Sequence, residues 1–153
     1  MAGSKTSKNR SASTVVDAPA STVFAILADP RQHPRIDGSG TVKASAVDGP
    51  ERLELGSQFG MSMKQGAPYK IKNTVVEHEP DRLIAWRHVG LHRWRYELEP
   101  TNGGGTKVTE TWDLSHYPLP LRLALSAGFG SKTQKAIEGT LVKLKAAAEA
   151  DAG

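Results

Sequence analysis

The chain contains no cysteine, and this absence excludes disulfide scaffolds, thiolate catalysis and cysteine-based zinc sites. It also contains no apolar run that approaches the ~20 residues needed to span a bilayer. Hydrophobic residues make up 38% of the 153 residues and charged residues 24%, which is typical of an ordinary globular protein. A chain of this length is expected to form one domain with one core.

Positive charge is concentrated at the N-terminus. The chain has 20 Lys and Arg against 16 Asp and Glu, but Lys5, Lys8 and Arg10 all precede the first acidic residue. The remainder is close to neutral, whereas a nucleic-acid-binding domain carries its basic residues on the folded body, so we expect no nucleic-acid partner. Residues 1–13 are predicted to form a disordered basic tail. No apolar stretch typical of a secretory signal follows these charges, so a cytoplasmic protein is expected.

The pattern of apolar residues and of Gly and Pro breaks predicts a strand, then two short helices, and then a series of strands. A strand at Thr14–Val16 precedes a helical pattern that begins at Pro19 and stops before Pro30, and only one further turn of helix fits after it. Short breaks rich in Gly, Pro and Asn separate the later strands, which predicts an antiparallel meander and leaves no room for crossover helices. The later candidates are Val42–Val47, Ser57–Lys64, Tyr69–His78, Arg82–His88, His92–Glu99 and Thr106–Ser115.

A long amphipathic helix is predicted after Pro120, where the apolar period changes from two to about 3.6 residues. Its lysines lie off the apolar stripe, so one face of the helix needs a sheet to cover it. The predicted stripe contains Phe129, Thr133, Ile137, Leu141, Leu144 and Ala148.

Alternation along the strands predicts which side chains share the inner face of the sheet. If the last hairpin turns about Gly103, Trp94 lies opposite Trp112 and Tyr96 lies opposite Glu110. If the preceding hairpin turns about Gly90, Trp86 lies opposite Trp94. All three tryptophans would then form one row across three strands, either as core packing or as the wall of a cavity.

Glu110 is the unusual member of this face, because a carboxylate in an apolar core is costly unless it is paired or hydrated. One interpretation is a hydrogen bond to Tyr96 or an arginine, or a position at the wet rim of the sheet. The other is a cavity in which Glu110 faces a ligand, and the presence of Tyr96, His88 and Asn73 on the same face favours it. The residues expected to line this cavity are Phe59, Met61, Met63, Ile71, Asn73, Ile84, Trp86, His88, Trp94, Tyr96, Glu110, Trp112, Phe129 and Ile137.

The histidines are not predicted to bind a metal ion, and the remaining charged side chains are predicted to lie on the surface. His88 and His92 are separated by a turn and have no obvious third ligand, so no metal site is expected. His33 is predicted to be a surface histidine as well. Arg93 and Arg95 alternate away from the inner face and are expected to be solvated partners of the neighbouring glutamates of their own strand.

Four segments of the chain carry a family resemblance. They are Val16-Asp17-Ala18-Pro19-Ala20, Asp81-Arg82-Leu83-Ile84-Ala85-Trp86, Tyr96-Glu97-Leu98-Glu99-Pro100 and the run from Gly105 to Trp112. With them the sequence resembles the START-like (SRPBCC) superfamily, specifically its polyketide cyclase/dehydrase-like group, from about residue 14 to 150. The resemblance implies an α+β helix-grip fold, in which a seven-stranded antiparallel sheet wraps around a long C-terminal helix and two short helices lie between strands 1 and 2.

The same resemblance implies a deep hydrophobic pocket, and three hypotheses of function follow. The first is binding of an apolar small molecule such as a lipid, a polyketide or another polycyclic compound. The second is an enzyme of the polyketide cyclase/dehydratase type, with Glu110, Tyr96 and His88 as the candidate catalytic residues. The third is a protein-partner module. No cofactor is expected, and the protein is predicted to be a monomer or a weak homodimer.

Overall fold

The computed structural model describes the backbone of residues 9–39, 42–65, 67–87 and 90–153. Side chains are described for the same residues apart from 42–48, 61–65 and 67–71. Within the described helices, none is both long enough and apolar enough to cross a bilayer.

An antiparallel sheet and a long helix make up most of the described chain. The sheet has seven strands in the order β1-β7-β6-β5-β4-β3-β2, so β1 and β2 are outermost. The predicted α+β class, with a long C-terminal helix on an antiparallel sheet, is confirmed and is consistent with a helix-grip fold. The strands are β1 Arg10–Val16, β2 Val42–Asp48, β3 Gln58–Gln65, β4 Ala67–Glu79, β5 Leu83–Arg87, β6 Arg93–Pro100 and β7 Thr106–Asp113. The helices are α1 Ala20–Leu27, α2 His33–Ile36 and α3 Leu119–Ala152, with a 3₁₀ turn at Pro30–Gln32 before α2.

The strand register predicted for the inner face is confirmed. Trp94 pairs with Trp112 and Tyr96 with Glu110 across β6 and β7, and Trp86 pairs with Trp94 across β5 and β6. The β6–β7 turn contains Gly104 at φ 84°, a left-handed conformation that glycine adopts without steric cost. A tight turn and two-residue alternation together determine which side chains meet, so this register was accessible from local sequence.

The first strand begins earlier than predicted. β1 starts at Arg10 rather than Thr14, and it pairs with β7 along its whole length. Ser13 Oγ and Thr109 Oγ1 are 2.8 Å apart and share a hydrogen bond between the two strands. The prediction of a disordered tail over residues 1–13 is therefore wrong for residues 10–13, which pair with the sheet, and residues 1–8 lie outside the described residues.

A β-bulge interrupts the alternation of β4. Val75 pairs with Trp86, but the next paired residue is Glu77, which lies opposite Ala85. Val76 is the extra residue, and one extra residue reverses which side chains face inward. Val75 therefore lies in the core, while Glu77 is turned to the outer face of the sheet.

This outward turn gives the arginines of β6 a partner that was not predicted. Arg93 Nη1 lies 3.0 Å from Glu77 Oε2, and Arg95 Nε lies 3.2 Å from Glu77 Oε1. Arg95 also pairs with Glu97 of its own strand. The prediction that Glu97 and Glu99 are the partners is therefore confirmed for Glu97 alone among the described ion pairs, and the bulge brings Glu77 between the two guanidinium groups.

The apolar stripe of α3 packs on the sheet and the short helices through its C-terminal half. Ile137, Leu141, Leu144 and Ala148 are buried. Phe129 is 58% exposed, so the prediction that it shares this stripe is wrong. Successive steps of four residues rotate the stripe by about 40° each, so Phe129 lies about 80° around the helix from Ile137.

Side chains of α3 also bond the backbone of β1. Gln134 Nε2 donates to the carbonyl oxygen of Ser11 at 3.0 Å. Lys145 Nζ donates to the carbonyl oxygen of Val15 at 2.9 Å. The helix therefore contacts this outermost strand through polar side chains as well as through the core.

The loop after α2 is held directly against the backbone of α3. The Gly38 N–H donates to Thr140 Oγ1 at 2.9 Å, and Lys143 Nζ donates to the Asp37 carbonyl oxygen at 2.9 Å. A Cβ atom added at Gly38 would lie 2.2 Å from the backbone nitrogen of Thr140. This close approach positions Asp37 above the inner face of the sheet.

Candidate functional site

The candidate site centres on a carboxyl group inside the apolar face of β7. Glu110 is 3% exposed, between Val108 and Trp112 on the same face. Tyr96 Oη donates a hydrogen bond to Glu110 Oε2 at 2.9 Å, which confirms the interpretation that these two residues are paired. Oε1 of Glu110 is also buried, and it has no hydrogen-bond partner among the described residues.

The environment of Glu110 favours its neutral form. Burial raises the pKa of Glu110 to about 8, the hydrogen bond from Tyr96 acts in the lowering direction, and the nearby Asp37 carboxylate raises it further. Burial next to Glu110 also raises the pKa of Tyr96 well above its ordinary value. The carboxyl group therefore holds its proton at neutral pH and presents a hydroxyl donor as well as an acceptor oxygen.

His33 is a second buried polar group, which the sequence did not indicate. It begins α2 and is 5% exposed, so the prediction of a surface histidine is wrong. Nε2 lies 2.8 Å from the carbonyl oxygen of Leu27, an acceptor, so Nε2 carries the proton of the neutral ring. Burial lowers the pKa of His33 to about 4. Nδ1 is then an acceptor, and it is buried with no hydrogen-bond partner among the described side chains and backbone.

Aromatic rings connect these two polar groups. The His33 ring stacks on Trp86 with centroids 4.8 Å apart, and Trp86 lies 5.4 Å from Tyr96. Phe59 makes edge contacts with His33 at 5.2 Å and with Trp86 at 5.4 Å. We call His33, Phe59, Trp86 and Tyr96 the Trp86 cluster. It leads from the unpartnered Nδ1 of His33 to the Tyr96–Glu110 hydrogen bond.

The other two tryptophans belong to a second aromatic group. Trp94 and Trp112 stack with centroids 6.3 Å apart, and His92 makes edge contacts with both. Tyr117 Oη lies 3.0 Å from His92 Nδ1 and accepts the Leu91 N–H at 2.9 Å. The predicted row of three indoles is present in the strand register, and its ring contacts form two groups, one around Trp86 and one around the Trp94–Trp112 pair.

The structure brings most of the predicted lining residues to the inner face. The buried ones are Phe59, Asn73, Ile84, Trp86, Tyr96, Glu110, Trp112 and Ile137. Trp94 is half-buried and Phe129 is exposed. The side chains of Met61, Met63 and Ile71, and the whole of His88, lie outside the described residues.

The described part of the site is closely packed. No side chain of the Trp86 cluster is more than 8% exposed, so each is surrounded by other parts of the protein. The cavity predicted between sheet and helix therefore stays a prediction. Among the described residues, no three His, Asp or Glu side chains lie close enough to hold a metal ion. The arrangement offers a hydroxyl donor at Glu110 and a nitrogen acceptor at His33, both within apolar aromatic surroundings.

The electrostatic role of Asp37 can be tested directly. Its Oδ1 accepts hydrogen bonds from Ser39 N at 3.0 Å and from Ser39 Oγ at 2.6 Å, and its charge raises the pKa of Glu110. Removing this charge with Asp37→Asn is expected to lower the pKa of Glu110 below the wild-type value of about 8. A carbon-13 NMR titration of the glutamate carboxyls measures the shift. Asp81→Asn, in an exposed turn, is the control, and an unchanged Glu110 pKa in Asp37→Asn would contradict this role.

Solved structures similar to this chain support the fold. Protein NE0264 from Nitrosomonas europaea matches with a TM-score of 0.70 and 16% identity, covering 94% of this chain and 95% of that chain. The Aha1 dimer from Colwellia psychrerythraea matches with a TM-score of 0.59 and 15% identity, covering 95% and 98%. At these identities the similarity concerns the fold alone.

Sequence comparison identifies the family. The uncharacterised protein Rv0088 of Mycobacterium tuberculosis is 42% identical over 139 residues, which cover 88% of this chain. The match covers 61% of that protein, so the chain spans about three-fifths of the length of this relative. The family model described as polyketide cyclase / dehydrase and lipid transport matches residues 9–149. The chain therefore belongs to the polyketide cyclase / dehydrase and lipid transport family.

Proposed function

We propose that this protein binds an apolar small molecule with a polar group, and that Glu110 is the anchor for that group. The observation that carries this proposal is the buried Oε1 of Glu110, which has no hydrogen-bond partner among the described residues. The neighbours of Glu110 on the same face of β7, Val108 and Trp112, are buried apolar and aromatic side chains. A few polar anchors within apolar walls are typical of small-molecule sites in proteins.

The energetic argument concerns two buried atoms at the two ends of the Trp86 cluster, which are among six buried side-chain atoms without hydrogen-bond partners in the described part of the chain. A buried polar atom left unpaired destabilises a protein by about 1–3 kcal/mol. Glu110 Oε1 and His33 Nδ1 both incur this cost, whereas leucine and phenylalanine at these positions would avoid it. A ligand that accepts a hydrogen bond from Glu110 and donates one to His33 would satisfy both atoms, so ligand binding would offset the cost.

The same arrangement indicates the chemical class of the ligand. The rings of Trp86, Phe59 and Tyr96 favour flat or elongated apolar surfaces, with which they can stack. A carbonyl oxygen fits the hydroxyl donor of Glu110, and a hydroxyl group fits the acceptor nitrogen of His33. Hydroxylated polycyclic ketones combine all three properties, and the family to which the chain belongs is associated with both polyketide chemistry and lipid transport.

Binding requires the Trp86 cluster to rearrange, because its members are packed against one another. Entry of a ring between Trp86 and its neighbours changes the surroundings of the indole, so we expect tryptophan fluorescence to change on binding. The experiment titrates the protein with 1,8-dihydroxyanthraquinone and, in parallel, with unsubstituted anthracene. The proposal predicts saturable binding of the hydroxylated quinone and weaker binding of the hydrocarbon.

A pair of variants tests the anchor. Glu110→Leu removes the hydroxyl donor and is expected to weaken binding of the quinone about tenfold, the effect of one lost hydrogen bond. Glu99→Leu, on the outer face of β6, is the matched control and should bind as the wild type does. Equal affinities for Glu110→Leu and wild type, or no binding of either compound, would overturn the proposal.

A second candidate function is acid–base catalysis of the polyketide cyclase/dehydratase type at the same site. It is favoured by the pKa of Glu110 at about 8, because a carboxyl group with this value can give or take a proton near neutral pH. Tyr96 would bind the oxygen on which charge develops. Glu110→Gln separates the two functions, since the amide retains a donor but transfers no proton. Catalysis predicts lost turnover of a poly-β-ketone substrate with binding retained, and binding alone predicts no turnover by either protein.

A further inference from the structure

Exposed apolar side chains are concentrated at the N-terminal end of α3. We call Leu91, Leu119, Leu121, Leu123 and Phe129 the α3 patch, and each of them is 44–58% exposed. Leu91 belongs to this end because its N–H donates to Tyr117 Oη, two residues before the helix. Single exposed apolar residues are ordinary, but a group of five at one end of a molecule indicates an interaction site.

The apolar side chains do not lie on a single side of the helix. At about 100° per residue, Leu121 is roughly 200° around the axis from Leu119, while Leu123 is only about 40° from it. Ser126 and Gly130 are buried, so one side of this part of the helix is already covered by the protein. A partner that covers the patch must therefore contact the remaining sides of the helix together rather than lie along a single side. A fluid surface into which the helix end inserts meets this requirement.

The backbone at this end of α3 has few N–H groups that would lose a hydrogen bond to water on insertion into an apolar phase. Pro118 and Pro120 carry no N–H group. The N–H groups of Leu121 and Arg122 both donate to the Pro118 carbonyl oxygen at 3.0 Å. In the first turn of α3, this leaves Leu119 as the residue whose N–H group has no acceptor within the helix. The amide desolvation that opposes insertion of a helix end is therefore small.

The charges around the patch are of one sign. Residues 114–137 contain no Asp or Glu, but they contain Arg122, Lys132 and Lys135. The preceding acid, Asp113, faces the outer side of β7 and accepts the Ser115 N–H. A symmetric contact with a second copy of the chain would bring the basic residues of both copies together, and they would repel each other. An anionic surface would instead neutralise their charge.

We propose that the N-terminal end of α3 docks on the surface of an anionic lipid bilayer. Leu119, Leu121 and Phe129 enter the boundary between headgroups and acyl chains, and the basic side chains contact the anionic headgroups. Apolar insertion combined with basic side chains is the general physical basis of peripheral membrane binding. This inference does not depend on the ligand proposed for the interior.

The test is cosedimentation of the full chain with vesicles of phosphatidylcholine, with or without phosphatidylserine. We expect binding that requires phosphatidylserine and decreases as salt increases. The double substitution Leu121→Ser and Phe129→Ser should weaken binding by at least about tenfold, because two apolar contacts are lost. Val142→Ser is the matched control, since Val142 is 69% exposed on the same helix but outside the α3 patch.

Charge reversal provides an independent readout. Lys132→Glu with Lys135→Glu should abolish the dependence on phosphatidylserine, whereas Lys72→Glu with Lys107→Glu, on exposed strand positions, should preserve it. Absence of binding to phosphatidylserine vesicles, or equal loss in the control variants, would overturn the proposal. A dimer in analytical ultracentrifugation that dissociates in the Leu121→Ser and Phe129→Ser variant would instead assign the patch to a second copy of the chain.

Discussion

Replacement of Glu110 by glutamine is expected to stabilise the protein by about 3 kcal/mol at pH 7. The reason is the pKa of Glu110, which rises from an ordinary value of 4.5 to about 8 in the folded protein. Each pH unit between these two values reduces the free energy of unfolding by about 1.4 kcal/mol, because the folded state retains a proton that the unfolded state has released. Glutamine has no proton to lose, and its amide oxygen can still accept the hydrogen bond from Tyr96.

The pH dependence of this effect has a defined sign. Stability associated with Glu110 is fully present below pH 4.5 and is lost as the pH rises towards 8. His33 acts in the opposite direction, because its folded pKa of about 4 lies below the ordinary value of 6.5, so its stability is lost as the pH falls. The two effects nearly cancel between pH 4.5 and 6.5, so the wild type should lose stability mainly as the pH rises above 6.5, and Glu110→Gln should remove this loss.

Urea unfolding at a series of pH values measures both effects. Glu99→Gln is the matched control, since Glu99 is an exposed glutamate of β6 and its replacement should leave the pH dependence unchanged. A Glu110→Gln protein that is less stable than the wild type at pH 7 would contradict this prediction. It would show that the Glu110 carboxylate makes a stabilising interaction other than the hydrogen bond from Tyr96.

Replacement of Gly38 by alanine is expected to destabilise the protein by about 3 kcal/mol, at the upper end of the range for overpacking. The added Cβ would lie 2.2 Å from Thr140 N, 2.5 Å from the Ala136 carbonyl oxygen and 2.5 Å from the Gly139 carbonyl carbon. All three are backbone atoms of α3, so no flexible side chain can move aside. The loop after α2 must then separate from the helix, and Asp37 moves with it.

The control for this prediction is a glycine-to-alanine substitution inside α3 itself. Gly128 is exposed inside the helix, and a Cβ there meets no atom within 4 Å. Gly128→Ala should therefore stabilise the protein by about 0.5–1 kcal/mol, through helix propensity alone. Thermal unfolding of the two variants gives the comparison, and equal behaviour would show that the close approach at Gly38 is not maintained in solution.

Local patterns predicted the sheet well because its register depends on neighbours in sequence. The Tyr96–Glu110 and Trp94–Trp112 pairs follow from alternation on both sides of one glycine turn. The bulge at Val76 has no such signal, because a valine fits an extended strand as well as a bulge. Its consequence, the outward position of Glu77 between Arg93 and Arg95, was therefore inaccessible from sequence.

The candidate site was predicted only in part, for a related reason. Glu110 was identified because a carboxylate interrupts an otherwise apolar strand face. His33 lies in a short helical turn, where alternation carries no information, and its burial depends on Phe59 and Trp86, which are distant in sequence. The predicted stripe wrongly includes Phe129 because steps of four residues drift around a helix of 3.6 residues per turn.

The polar contacts between α3 and β1 have a further consequence for self-association. An outermost strand exposes backbone groups that can template pairing with a strand of another molecule. Here the carbonyl oxygens of Ser11 and Val15 are already occupied by the side chains of Gln134 and Lys145. An incoming strand would have to displace both and desolvate an ammonium group, so the helix protects this border of the sheet against edge-to-edge aggregation.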